Sequence, residues 1–197
     1  MTLDEMADKV YALTGRPDKI AATKEAIKAA TLKAHKTDFY SSDIVEVLIT
    51  LGASNAYVWS FDVISYISNF RSLKYIRRYD DVGAEPANFI DIITPEEVLD
   101  TYGNTRANVA YRAGRNIEIK SYTAFKQMLF ACYVFPIVTD GGYSSWIADQ
   151  YTYAIVYEAA RILFKTIGHD DQASQYEKLV MEEYSSLQTS ALTDIAI

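Results

Sequence analysis

The chain has 197 residues, of which 50% are hydrophobic and 23% are charged, a composition typical of a folded protein and not of a disordered one. Its formal net charge of −7 argues against a general nucleic-acid-binding protein, which needs a clustered basic face. The single cysteine, Cys132, excludes a disulfide within the chain. The acidic N-terminus is unlike a signal peptide and no apolar run is long enough to span a membrane, so we expect a soluble protein made in a reducing cytoplasm.

Two helices are predicted at the N-terminus. Thr2 and Glu5 form a capping-box pattern before apolar residues at helical spacing, and Gly15 marks the end of that helix. A second helix is predicted from about Asp18 to His35, with alanines on one side that allow close packing against another helix. His35 near its end is expected to be a capping or surface residue.

The segment from residue 43 to 136 is rich in β-branched and aromatic residues and predicts short strands, the clearest being a hairpin around Ala113-Gly114. Alternation places Trp59, Phe61 and Val63 on one side of a strand. In "LKYIRRY" it separates Leu73, Tyr75, Arg77 and Tyr79 from Lys74, Ile76 and Arg78. The run "FKQMLFACYVF" is the most apolar strand and is expected to be central.

The stretch "IVTDGGYSSWIADQY" resembles a phosphate-binding loop, because a paired glycine follows an apolar run and precedes a helical pattern. It lacks the lysine of a nucleotide-binding loop and the three spaced glycines of a dinucleotide site. We therefore predict a structural helix-entry turn. Gly141 or Gly142 supplies a positive φ angle, and Ser144 or Ser145 caps a helix that begins at Trp146.

Helical periodicity returns after this turn, and a last helix is predicted from Asp170 or Asp171 through Leu187. The predicted fold is α+β, with a four-helix core from the N- and C-terminal segments and a β-rich insert between them. The predicted parts are an N-terminal helix pair (1–40), a β-rich lobe with one short helix starting at Thr94 (41–138), a C-terminal helix pair (139–190) and a tail (191–197).

No catalytic, cofactor-binding or metal-binding residues are predicted. The two histidines, His35 and His169, are far apart, and there is no cysteine pair. Nothing in the sequence directs a base at Cys132. Two of the 26 acidic residues could act together as acid and base in a hydrolase, which stays open as an alternative function. The charged pairs Asp80-Asp81 and Glu96-Glu97 are instead interpreted as a turn and a capped helix start.

Five segments in order resemble the head-to-tail adaptor (connector) proteins of tailed bacteriophages, especially a podovirus-like group. They are "IKAATLKAHKTDFY", "FRSLKYIRRYD", "ITPEEVLDTYG", "YRAGRNIEIKS" and "GYSSWIADQYTYAIVYEAARILFKTIG", which together span most of the chain. None is a catalytic motif, so the resemblance depends on their combination. The chain departs from the pattern at Thr152, where proline is expected.

The resemblance implies a structural protein of the virion, not an enzyme, present in the host cytoplasm during assembly. A ring of about twelve copies would dock on the portal protein, extend the DNA channel and carry the next tail component, a nozzle or tail tube. Double-stranded DNA would pass through without sequence-specific binding. The resemblance also implies that the C-terminal segment reaches the portal, here through Leu187, Leu192, Ile195, Ala196 and Ile197.

An aromatic surface would suit the contacts between subunits or with the tail, and the candidates are Trp59, Tyr75, Arg77 and Tyr79. Arg71, Lys74, Arg77 and Arg78 fall within eight residues. We favour a solvated or tyrosine-stacked strand face for these four basic residues. As an alternative, these four residues could face the DNA channel and contact the DNA.

Overall fold

A computed structural model describes residues 1–50, 56–81, 83, 85, 89–99 and 102–194, with the backbone alone at residues 56 and 191–194. The chain divides into two compact units, each with its own hydrophobic core. The helical unit comprises Met1–Ser42 and Phe135–Ile197, and the sheet unit comprises Asp43–Val134. In the parts described, no helix is both long and apolar enough to cross a membrane.

Six helices occur among these residues: α1 (Leu3–Thr14), α2 (Ile20–Lys36), α3 (Val63–Tyr66), α4 (Trp146–Gln150), α5 (Thr152–Thr166) and α6 (Asp170–Asp194). The strands are β1 (Ile44–Thr50), β2 (Ala56–Asp62), β3 (Phe70–Tyr79), β4 (Phe89–Ile92), β5 (Val109–Ala113), β6 (Asn116–Phe125) and β7 (Gln127–Val134). Two short 3-10 helices, Ser41–Asp43 and Pro95–Val98, complete the regular structure of this part of the chain.

In the helical unit, α5 is the central helix, since it packs against α1, α2, α4 and α6. A helix enclosed in this way is apolar on several sides, and its buried residues are Ala154, Ile155, Val156, Glu158, Ala159, Ala160, Leu163 and Phe164. The predicted start and end of α1 are confirmed. Thr2 and Glu5 form both hydrogen bonds of the capping box, and Gly15 ends the helix with a φ of 64°.

In the sheet unit, seven strands form one mixed sheet in the order β1-β7-β3-β4-β5-β6-β2. The predicted hairpin of β5 and β6 is confirmed and turns at Gly114, whose φ is 66°. The ring of Phe61 on β2 lies 4.6 Å from that of Phe130 on β7, although these strands are far apart in the sheet order. The sheet therefore curls around its own core.

The predicted architecture, a four-helix core with a β-rich insert, is wrong. The described residues contain six helices, and strands dominate the middle of the chain as one curled mixed sheet. The C-terminal segment forms three helices because Tyr151, at φ −126° and ψ 49°, interrupts the helical path between α4 and α5. α3 replaces the end of a predicted strand because the Asp62 side chain accepts the N–H of Ile64 and caps a helical turn. α6 also continues to Asp194, past the predicted start of the tail.

Candidate functional site

The sheet unit presents an outer face, which we define as the side of β1, β7, β3 and β4 that points away from the core. The strand registers align its side chains in three rows across the strands. The first row holds Glu46, Ala131 and Tyr75, the second holds Leu48, Leu129, Arg77 and Phe89, and the third holds Thr50, Gln127 and Tyr79. Residues far apart in the sequence thus become direct neighbours.

Arg77 occupies the middle row, beside two aromatic rings. Its guanidinium carbon lies 4.1 Å from the ring centre of Phe89 and 5.7 Å from that of Tyr75, within the range of a cation–π contact. Its Nε–H is buried and has no hydrogen-bond partner among the described residues. Leu48 and Phe89, at the ends of the row, are 50% and 51% exposed. The outer face therefore combines exposed apolar groups with a cation held in place by its neighbours.

Hydrogen bonds order the rows on either side of Arg77. The Tyr75 hydroxyl donates to the carboxylate of Glu46 across the small side chain of Ala131, and this bond raises the pKa of the tyrosine. In the third row, Gln127 Nε2 donates to Thr50 Oγ1 over 2.8 Å. These bonds connect β1 to its neighbours and hold their side chains in fixed positions. A partner that binds this surface would therefore lose less side-chain entropy.

The corresponding side of β2 and β6 is more polar, although Val58 and Tyr122 are also exposed there. Ser60 donates to the carboxylate of Glu118 and accepts from Asn116, while Lys120 lies opposite Val58. The outer side of the sheet thus has one half in which aromatic and apolar side chains surround an arginine, and a second half that is more polar. Tyrosine, phenylalanine and arginine are the residue types enriched at protein interfaces, so the first half is the candidate contact surface.

Three of the four predicted contact residues meet on this surface, and the fourth does not. Tyr75, Arg77 and Tyr79 share the outer face of β3. Trp59 points to the other side of the sheet, where its ring stacks on Phe61 at 5.0 Å and lies 6.2 Å from Phe130. The prediction for Trp59 is corrected: it shares one side of β2 with Phe61, and that side packs against the core.

The four basic residues of β3 do not form one basic surface. Arg77 and Arg78 point to opposite sides of the strand, and Arg78 is buried, with Nη1 donating to Ser121 over 2.8 Å. Lys74 lies over the ring of Tyr133, and Arg71 lies 3.9 Å from the Asp43 carboxylate. The aromatic-stacked interpretation is thus correct for Lys74 and Arg77, and the four residues cannot line one DNA channel together.

Of the predicted portal-binding residues, Leu187 is 1% exposed and packs in the core of the helical unit. This argues against its predicted role as a portal contact, because Leu187 lies on the side of α6 that packs into the core. Leu192 lies in α6, of which only the backbone is described at that position. Ile195, Ala196 and Ile197 lie outside the described residues, so their portal contact stays a prediction.

The helix-entry turn makes structural contacts, but its glycines act differently from the prediction. Neither Gly141 nor Gly142 has a positive φ. A Cβ at Gly142 would lie 3.1 Å from Thr139 Oγ1, so that glycine provides space, whereas a Cβ at Gly141 would meet open space. Ser145 caps α4, which begins at Trp146 as predicted: the Ser145 hydroxyl accepts the Ala148 N–H at 3.2 Å.

α2 holds this turn through three side chains on one of its faces. Lys28 lies 2.7 Å from the Asp140 carboxylate, Thr31 Oγ1 lies 2.7 Å from the Tyr143 hydroxyl, and His35 Nε2 lies 2.9 Å from Ser145 Oγ. His35 is buried, which corrects its prediction as a capping or surface residue. The spacing of Lys28, Thr31 and His35 is that of one helix face, a signal that is visible in the sequence once α2 is assigned.

We expect Ser145→Ala to lower the free energy of unfolding by about 2 kcal/mol, because it removes the cap of α4 and the partner of a buried histidine nitrogen. Urea denaturation followed by circular dichroism measures the change. Ser144→Ala is the matched control, since Ser144 is exposed, and should change stability by less than about 0.5 kcal/mol. Equal effects of the two substitutions would contradict the assigned role.

A buried ionic cluster in the helical unit was missed in the sequence. Glu158 on α5 is 1% exposed, and its carboxylate accepts two hydrogen bonds from Arg161 and one from Lys33, each 2.8 Å long. Burial alone would raise its pKa, but the bonds from Arg161 and Lys33 outweigh burial and lower it. Lys33 also lies over the ring of Tyr184, whose hydroxyl is buried without a hydrogen-bond partner in the described chain. The sequence signal was an acidic residue within the apolar side of a helix.

The groups considered for catalysis have structural partners. Asp80 lies 2.7 Å from Arg78, Asp81 lies 2.8 Å from Lys126, and Glu97 accepts the backbone N–H of Thr94, as expected for a turn and a capped helix start. Burial raises the pKa of Cys132 to about 12, which disfavours its thiolate. Over the described ranges, no group of three or more His, Cys, Asp or Glu residues is placed to hold a metal ion.

No protein-family model matches the chain, and no curated protein matches it significantly.

Proposed function

We propose that this chain is a structural subunit of the head-to-tail junction of a tailed bacteriophage. Copies of the chain form a ring that docks on the portal protein, extends the DNA channel and carries the next tail component. In this role the chain acts by binding other subunits and not by catalytic turnover. The net charge of −7 would repel passing DNA and favour its movement over its retention.

The observation that supports the assembly role is the outer face of the sheet unit. It displays Leu48 and Phe89, each about half exposed, around Arg77, which is held in place by rings. Preorganised arginine and aromatic groups on an apolar surface are typical of the residues that dominate binding energy at protein interfaces. The assignment to the phage junction comes from the resemblance of the five sequence segments.

The native mass of the purified protein, alone and mixed with the portal protein of the same genome, tests this proposal. We expect a complex with the mass of the portal plus a ring of this chain. A portal protein from an unrelated phage is the control and should give no such complex. A chain that stays monomeric in the presence of its own portal would overturn the proposal.

A further inference from the structure

We infer that the outer face of the sheet unit binds the exposed, acidic side of α6 in a second copy of the chain, around Met181 and Glu182. This inference rests on the proposed ring, because it identifies the neighbouring subunit as the occupant of the same surface. The contact joins two different surfaces, as a closed ring requires.

The contacts that Arg77 makes indicate an anionic partner. Five other arginines each have a carboxylate within 4 Å, namely Arg16, Arg71, Arg78, Arg115 and Arg161. Arg77 instead has aromatic rings beside it and a buried Nε–H that lacks a hydrogen-bond partner within the described residues. Arg77 is nevertheless half-buried and not enclosed, so a carboxylate from another molecule could contact the accessible part of its guanidinium and neutralise the cation, which matters most where an interface excludes water.

The chain itself offers a suitable carboxylate. Six of the seven charged residues of α6 are acidic: Asp170, Asp171, Glu177, Glu182, Glu183 and Asp194. Glu182 is exposed and follows Met181, whose side chain is 63% exposed, the largest fraction among the large hydrophobic residues described in the helical unit.

A methionine beside a glutamate matches both the aromatic groups and the positive charge of the outer face. The thioether of methionine packs favourably at the edges of aromatic rings, and Phe89 and Tyr75 supply two such rings in contact with each other beside the guanidinium. The neighbouring carboxylate can then reach Arg77. One helix turn would thus satisfy both the apolar and the cationic part of the surface.

Charge reversal tests the contact. The readouts are ring formation on the portal and self-association of the chain alone by sedimentation equilibrium. We expect Arg77→Glu and Glu182→Arg each to raise the concentration needed for association at least about tenfold, and the double variant to restore it to within about threefold of the original. Lys120→Glu, on the polar half of the sheet, is the matched control and should leave association unchanged.

Arg77→Met keeps an unbranched apolar stem and removes the charged guanidinium, so it should weaken association without disturbing the fold, as judged by circular dichroism. Two results would overturn the inference without affecting the proposed ring. One is that Arg77→Glu associates at the same concentration as the original chain. The other is that the double variant associates no more strongly than either single variant. If the chain does not bind the portal, but its self-association is still weakened by the single charge reversals and restored in the double variant, only the proposed function is overturned. Absence of both kinds of association would overturn both.

Discussion

Replacing Arg161 by methionine is expected to lower the free energy of unfolding of the helical unit by about 3 kcal/mol. The Glu158 carboxylate is 1% exposed, so losing its bidentate partner leaves a buried charge that Lys33 alone must compensate. Removal of the carboxylate costs less, because Arg161 and Lys33 retain contact with water at 20% and 49% side-chain exposure. The order of the two effects is therefore itself a prediction: Arg161→Met is more destabilising than Glu158→Gln.

Urea denaturation in a Trp59→Phe background measures this change, since Trp146 then reports on the helical unit alone. Arg16→Met is the control, because Arg16 pairs with Asp18 at the surface and should contribute less than about 1 kcal/mol. A loss at Arg161 no larger than at Arg16 would contradict the role of the cluster.

The pH dependence gives a second measurement of the same variant. The pKa of Glu158 is lower in the folded protein than its ordinary value of 4.5, so its stabilising contribution is complete above that pH and is lost as the pH falls through the folded value. Arg161→Met removes the strongest of the interactions that lower this pKa, so the pKa of Glu158 should be higher in the variant than in the original protein. Acid unfolding of the variant should therefore begin at a higher pH than in the original protein.

Local features of this fold could be predicted from the sequence because their causes are local. The capping box at Thr2 and the glycine turn at Gly114 depend on residues within a few positions of each other. Alternation along β3 correctly grouped Tyr75, Arg77 and Tyr79. Strand and turn signals within a short window were sufficient for these elements.

Other features depend on contacts between distant parts of the chain. Lys33 and Glu158 are 125 positions apart, and His35 and Ser145 are 110 positions apart, so neither pair has a local signature. Alternation also cannot say which side of a strand faces the core, and in the curled sheet the partly buried Trp59 packs against that core. The paired glycine shows a similar limit, since a glycine kept for space and one kept for a positive φ look the same in a sequence.

Leu187→Ala is expected to lower the free energy of unfolding by about 3 kcal/mol, which distinguishes a core residue from a portal contact. The side chain is 1% exposed and lies near Tyr40 and Trp146 in the helical unit. Truncating a buried leucine removes its transfer free energy and leaves a cavity, which together cost about 2–5 kcal/mol. Urea denaturation in the Trp59→Phe background again measures the change.

Gln188→Ala serves as the control, because it changes the adjacent, exposed residue of the same helix and should alter stability by less than about 0.5 kcal/mol. A Leu187→Ala variant with unchanged stability but weaker portal binding would instead mean that Leu187 is a contact residue and that the packing of α6 is wrong. If stability falls as expected, portal docking by the C-terminal segment must depend on residues beyond Leu187. Truncation after Asp194 then tests the remaining prediction, since it removes Ile195, Ala196 and Ile197 and leaves α6 complete.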